Sequence, residues 1–125
     1  MRLARTCYDH IAGGLGVAIA DQLLDDGAVA FDGEAGHVTD RAGPSLQRLG
    51  LDPQAAITTA PGKRPNCRPC LDWSERRMHL AGRLGAMICS HCLDNGWLLR
   101  KEGSRALKVT SKGTLALRGW MGNER

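Results

Sequence analysis

Aromatic residues are scarce in this 125-residue chain, with one Phe, one Tyr and three Trp. Any core must therefore rest on Leu, Ile, Val, Ala and Met, and a chain of this length buries roughly two thirds of its unfolded surface. No apolar run approaches the roughly 18 residues of a membrane span, which argues against a membrane partner. The opening Met1-Arg2-Leu3-Ala4-Arg5 carries no signal-peptide core. Five cysteines, an odd number, argue against a closed disulfide framework, so the expected location is the reducing cytoplasm. Neither paired carboxylates nor a nucleophile–base arrangement emerges. Gly13-Gly14-x-Gly16 is expected to follow no strand and so to be no nucleotide-binding loop. The expectation is a protein that is not an enzyme.

What the chain does have is a duplication. His10-Ile11-Ala12-Gly13-Gly14-Leu15-Gly16 returns as His79-Leu80-Ala81-Gly82-Arg83-Leu84-Gly85, and the ungapped alignment of residues 10–29 with 79–98 holds nine identities in twenty positions. Upstream, Arg5-Thr6-Cys7-Tyr8-Asp9 answers Arg68-Pro69-Cys70-Leu71-Asp72, with the six residues Trp73 to Met78 inserted in the second copy. Each position thus has an internal control.

Periodicity predicts a mainly helical α+β fold, a tandem pseudo-twofold repeat of helix–β-hairpin–helix units resembling winged helices without a complete recognition helix. Ile11, Leu15, Ile19 and Leu23 fall at spacing four, predicting a helix over 9–26 with Asp9 as its cap, and residues 72–94 follow suit with Asp72 in that role. Hairpins then form at Ala28–Thr39 and Trp97–Val109, and closing helices are capped by Thr39 or Asp40 and by Thr110 or Ser111. The expected organisation is repeat 1 over 1–50, a proline-bearing linker over 51–66 with one helical turn near Gln54-Ala55-Ala56, and repeat 2 over 67–125, packed as one domain. Residues 1–62 carry four basic and eight acidic side chains, residues 63–125 thirteen and five, so the halves are about −4 and +8. Either the two lobes are simply dipolar, or the second half faces a polyanion or a partner chain.

Arg5-x-Cys7-Tyr8-Asp9-His10-Ile11-Ala12-Gly13-x-Leu15-Gly16-Val17, followed by Cys70-Leu71-Asp72-Trp73-Ser74-Glu75-Arg76-Arg77-x-His79-Leu80-Ala81-Gly82, resembles the C-terminal region of a subset of ArsR-family winged helix-turn-helix transcriptional regulators. The resemblance spans nearly the whole chain. It implies a role in transcription regulation, with DNA read by a winged helix that precedes such a region. The chain is then expected to be a fragment of a longer regulator or a stand-alone accessory part. Only ten residues separate Gly16 from Gly27, and Gly85 from Gly96, too few for a turn and a reading helix. The residues therefore favour assembly and effector sensing, with at most weak, non-specific DNA binding by this chain itself. A homodimer is compatible with the sequence.

Two cysteine constellations compete for a metal. Cys67-x2-Cys70 and Cys89-x2-Cys92 have the spacing of a four-thiolate zinc site, which would make the chain a stand-alone zinc-binding adaptor. Against this, Cys89 aligns with Ala20 and Cys92 with Leu23, both apolar helix-face positions, and free Cys packs as a small hydrophobe. Cys7 and Cys70 instead match each other, each followed by Asp and by His10 or His79. Thiolate, carboxylate and imidazole together suit a soft or borderline metal or a low-pKa redox thiol. The alternative is plain structure, with the thiols packed and the histidines hydrogen-bonded where the copies meet. The expectation is no cofactor, with zinc or another thiophilic metal as the alternative. Arg100, Lys101, Arg105 and Lys108 crowd the second hairpin and offer phosphate contacts, or else a charged edge that resists aggregation. In the insert, Trp73 is expected to pack and Arg76 or Arg77 to pair with Glu75 or another chain.

Overall fold

The structure is a computed structural model and describes residues 4–7, 9–56, 65–73 and 75–122. The order hairpin, helix, hairpin, helix runs through it twice. First come β1 (Arg5–Cys7), β2 (His10–Ala12), α1 (Gly13–Asp25), β3 (Val29–Asp32), β4 (Ala35–Val38) and α2 (Ala42–Leu49). A short helix α3 (Pro53–Ala56) follows, at the helical turn expected there; Pro61 and the rest of 57–64 lie outside the described residues, as do Tyr8 and Ser74. Then come β5 (Arg68–Asp72), β6 (Arg77–Ala81), α4 (Gly82–Asp94), β7 (Leu98–Arg100), β8 (Leu107–Val109) and α5 (Ser111–Trp120).

The expectation of a mainly helical fold is overturned. Among the described residues, five helices and eight strands in four small antiparallel hairpins give 44% helix and 28% strand, α+β without helical dominance. The repeating unit is accordingly not helix–hairpin–helix, because an extra hairpin precedes each long helix. The error lies at residues 9–12 and 72–81, which continue the apolar spacing of the helices but form hairpin arms. Gly13 (φ 77°) and Gly82 (φ 84°) mark the boundary. A left-handed residue cannot sit inside a right-handed helix without breaking it, but it turns a strand sharply into one, and glycine adopts it without steric cost. Neither Asp9 nor Asp72 caps its own helix, since Ala12 and Ala81 hold those positions without a side-chain cap. Between α1 and β3 there is no second helix.

The later elements follow the sequence more closely. Asp26 and Gly27 close α1, and Asn95 and Gly96 close α4, the glycines at φ 75° and 72°. Thr110 caps α5, its Oγ1 accepting from Gly113 N at 2.9 Å. The N-cap of α2 is Arg41, with no side-chain cap, while Thr39 Oγ1 donates to Gly27 O and Ala28 O and accepts from Arg41 N.

One apolar cluster draws on both copies. Ile11, Leu15, Ile19 and Leu23 are buried, and so are their counterparts Leu80, Leu84, Ile88 and Cys92. Ile11 and Leu80 belong to strands, so the line crosses from hairpin arm to helix without leaving the core. The copies are interlocked: α1 packs against β6 and α4 against β2, each helix lying on the other copy's hairpin. At the far end Trp120 Nε1 donates to Ser45 O at 2.8 Å, and Arg48 Nη2 to Trp120 O at 3.0 Å, tying α5 to α2.

Candidate metal centre

Strand pairing places the donors. In the β1–β2 hairpin Cys7 lies opposite His10, and in the β5–β6 hairpin Cys70 lies opposite His79. Residues facing one another across antiparallel strands bring their Cβ atoms to about 5 Å, so each hairpin presents a thiol and an imidazole side by side. The six-residue insertion leaves this pair intact. It adds the cross-strand pairs Leu71–Met78 and Asp72–Arg77 and widens the turn; an even insertion preserves which face each residue occupies.

Because the helices cross over, the hairpins meet. His10 Nε2 and His79 Nε2 are 3.0 Å apart, with ring centroids at 4.8 Å. One donor atom from each of Cys7, His10, Cys70 and His79 lies within 4.8 Å of the others, the one such group of three or more His, Cys, Asp or Glu among the described residues. Both histidines are buried, both thiols half-buried and unbridged.

Asp72 is fully buried and organises one side of the site. Its Oδ2 accepts from His79 Nδ1 at 3.2 Å and from Gly13 N at 2.5 Å, and its Oδ1 from Arg5 Nη2 at 3.3 Å and Glu75 N at 3.2 Å. It thus occupies the amide position at the start of α1, the helix of the other copy, where a carboxylate is favoured by the helix dipole. This answers the Gly13-Gly14-x-Gly16 segment. A strand does precede it, contrary to expectation, but as a hairpin arm, and Asp72 already takes its leading amide. The matching helix α4 is met by backbone instead, Arg83 N donating to Pro65 O and Leu84 N to Asn66 O.

His10 has no such partner. Its Nδ1 stands 3.6 Å from Asp9 Oδ1, just beyond hydrogen-bond reach, and is the one buried side-chain nitrogen or oxygen without a hydrogen bond among the described residues. Burial and the neighbouring His79 depress the His10 imidazole to about 4, against the pull of Asp9. Burial likewise lowers His79, which Asp72 partly offsets. Burial and the adjacent Cys7 raise the Cys70 thiol. At neutral pH both imidazoles are therefore neutral and the Cys70 thiol is protonated.

The other sequence candidates lie elsewhere. Cys67, Cys89 and Cys92 are buried in the apolar cluster, burial raising Cys67 to about 11, Cys92 to about 12, and Cys89 in the same direction. Arg100, Lys101, Arg105 and Lys108 are all exposed on or beside the β7–β8 hairpin, which is bridged to β1 through Arg5–Ala106. Trp73 does not pack as expected but is 81% exposed, next to the partly exposed Leu71 and Met78. Arg77 pairs with Asp21 of the first copy at 2.6 Å rather than with Glu75. Asp72, the residue on which the site turns, offers two readings in the sequence, a carboxylate beside the thiol and imidazole or a helix cap, and its bond across to α1 belongs to neither. Its six-residue displacement from its copy's helix was the available signal.

By comparison the chain is similar to a helix-turn-helix transcriptional regulator. The relative is the HTH-type transcriptional regulator YdfF of Bacillus subtilis (strain 168), 34% identical over 116 residues, which are 93% of this chain and 50% of that protein. The chain thus spans about half the length of the curated relative it matches. No protein-family model and no solved structure matches. Among the described residues no helix is long and apolar enough to cross a membrane.

Proposed function

We propose that this chain is the non-enzymatic accessory part of an ArsR-like transcriptional regulator, serving assembly and effector sensing in the cytoplasm, while a separate winged-helix module reads DNA. The observation that carries the sensing role is the meeting of Cys7, His10, Cys70 and His79, half from each copy. A ligand gripping both halves binds only when they are correctly docked, so it shifts the balance between docked and loosened arrangements, which is what an effector must do. The relationship to a helix-turn-helix regulator supplies the regulatory context.

DNA binding by this chain alone should be weak. The exposed basic hairpin attracts phosphates, an attraction that falls steeply with salt, but base discrimination needs side chains delivered into a groove. The interval between α1 and β3 holds no helix for that purpose, and the β3–β4 hairpin presents exposed Asp32 and Glu34 where a symmetric reader would need positive charge. Fluorescence titrations against random and promoter duplexes at two salt concentrations test this. Sequence-indifferent, salt-sensitive binding is expected; a preference of about a thousandfold for one duplex at physiological salt would show that this chain itself reads DNA.

A further inference from the structure

We propose that Cys7, His10, Cys70 and His79 form a four-coordinate zinc(II) site that joins the hairpins of the two copies, with Asp72 and Asp9 orienting the imidazoles through Nδ1. This rests on the reading of the cluster as an effector site and names its ligand.

Dimensions and donor chemistry agree. Around a tetrahedral zinc with Zn–N near 2.05 Å and Zn–S near 2.3 Å, donor–donor separations run from about 3.3 to about 3.8 Å. The four donors already lie within 4.8 Å of one another, and the two Nε2 atoms within 3.0 Å, so a modest adjustment opens the space. Two thiolates and two imidazoles at tetrahedral spacing select zinc over hard cations, which prefer oxygen. Two thiolates also neutralise the ion, so no net charge is buried.

The hydrogen bonds supply an independent reason. His79 Nδ1 points at the Asp72 carboxylate and therefore carries its proton, leaving a bare lone pair on Nε2. The facing His10 Nε2 must then be the N–H that donates across the 3.0 Å gap, which leaves His10 Nδ1 as a bare acceptor, buried, unpartnered and 3.6 Å from a carboxylate oxygen. An unpaired buried acceptor facing an anion is unfavourable. Zinc resolves both faults: with the ion on both Nε2 atoms, the His10 proton resides on Nδ1, where Asp9 accepts it, and His79 keeps its bond to Asp72. Each thiol loses one proton on coordination, so Zn²⁺ plus two R–SH gives Zn(SR)₂ plus two H⁺.

The experiment is titration of the reduced, chelator-treated full chain with zinc, following stoichiometry, proton release and affinity by competition with a chromophoric chelator. One equivalent of zinc and about two protons released are expected, and cobalt(II) in its place should give the visible bands of tetrahedral thiolate coordination. C7S and C70S, at half-buried positions, should each weaken binding at least about a hundredfold, whereas D72N should weaken it about 10- to 100-fold at unchanged stoichiometry, as loss of a ligand's hydrogen-bond partner does. C89A and C92A should leave affinity unchanged. Circular dichroism of each metal-free variant separates lost binding from lost fold. The proposal is overturned if the folded wild-type chain takes up well under one equivalent, if cobalt gives an octahedral spectrum, or if affinity follows Cys89 and Cys92 rather than Cys7 and Cys70. Should zinc bind as described yet leave the operator affinity of the complete regulator unchanged, the site stands as a structural staple and the sensing role falls.

Discussion

A methyl group added at Gly16 tests how closely α1 folds back on β2, the hairpin arm of its own copy that carries His10. An ideal Cβ there would lie 2.3 Å from Ile11 O, 2.8 Å from Ile11 C and 3.4 Å from His79 Cβ. The first two are backbone atoms of β2, which cannot rotate aside, so α1 must move off the hairpin. Such overpacking costs about 1–3 kcal/mol, and contact with backbone belongs at the upper end. Alanine's helical preference over glycine returns about 1 kcal/mol. The net expectation for Gly16→Ala is a loss of about 2 kcal/mol, a Tm lower by roughly 6–8 °C for a chain of this size. Gly85→Ala should behave alike, its Cβ meeting Leu80 O at 2.5 Å and His10 Cβ at 3.2 Å. Each glycine abuts the other copy's histidine, so both variants should also weaken zinc binding. Gly43 in α2 and Gly119 in α5 have nothing within 4 Å, and the same substitution there should stabilise, by up to about 0.5–1 kcal/mol. Urea unfolding with chelator and reductant present reads all four. If Gly16→Ala proves as stable as Gly43→Ala, helix and hairpin do not approach as described.

Thr110→Val removes the acceptor for Gly113 N and the hydroxyl that donates to Gly96 O at 2.7 Å, and should cost about 1–2 kcal/mol in urea unfolding; an unchanged midpoint would show α5 to be held by packing alone. Acidification should destabilise the chelator-treated protein. His10 is depressed to about 4 and His79 is shifted the same way, so the unfolded chain takes up protons first. The neutral histidines contribute their full stability above the unfolded value of about 6.5 and lose it as pH falls towards about 4. Unfolding midpoints that stay level from pH 7.5 to 4.5 would contradict the burial of the pair.

The sequence made the duplication, the core line and the Cys–His partnership legible because identity between copies does not depend on knowing the secondary structure. What misled was local. His10-Ile11-Ala12 keeps the apolar spacing of α1, and a three-residue arm is too short for period two to show against period four. The signal that distinguishes them is the insertion. Six residues placed between Cys70 and His79, with alignment intact on both sides, suit a hairpin that grows by pairs. Inside a helix six residues would rotate the flanking faces by about 240° and break the apolar line. The same reasoning reaches Asp72, whose distance from α4 leaves it free to meet α1 of the other copy. Trp73 escaped because its exposure is set by the hairpin tip projecting beyond the core, which no pattern within the insert encodes.

Asymmetry between the copies makes one site out of two. A lone hairpin supplies one thiol and one imidazole, too few for a closed four-coordinate centre, and only the exchange of helices brings the second pair within reach. A strictly symmetric arrangement would give each histidine the same environment. The longer second hairpin instead carries Asp72 across to Gly13 N, Arg5 and His79, while Asp9 stays beside its own His10. The docking pairs charges in both directions, Arg77 with Asp21 and Arg5 with Asp72 across the copies, and so leaves the charge imbalance of the two halves unchanged. Arg100, Lys101, Arg105 and Lys108 take no part in those pairs and remain exposed, on a hairpin bridged to β1, the strand that carries Cys7. A metal held at the proposed site would fix Cys7, and with it the strand to which this basic hairpin is bridged.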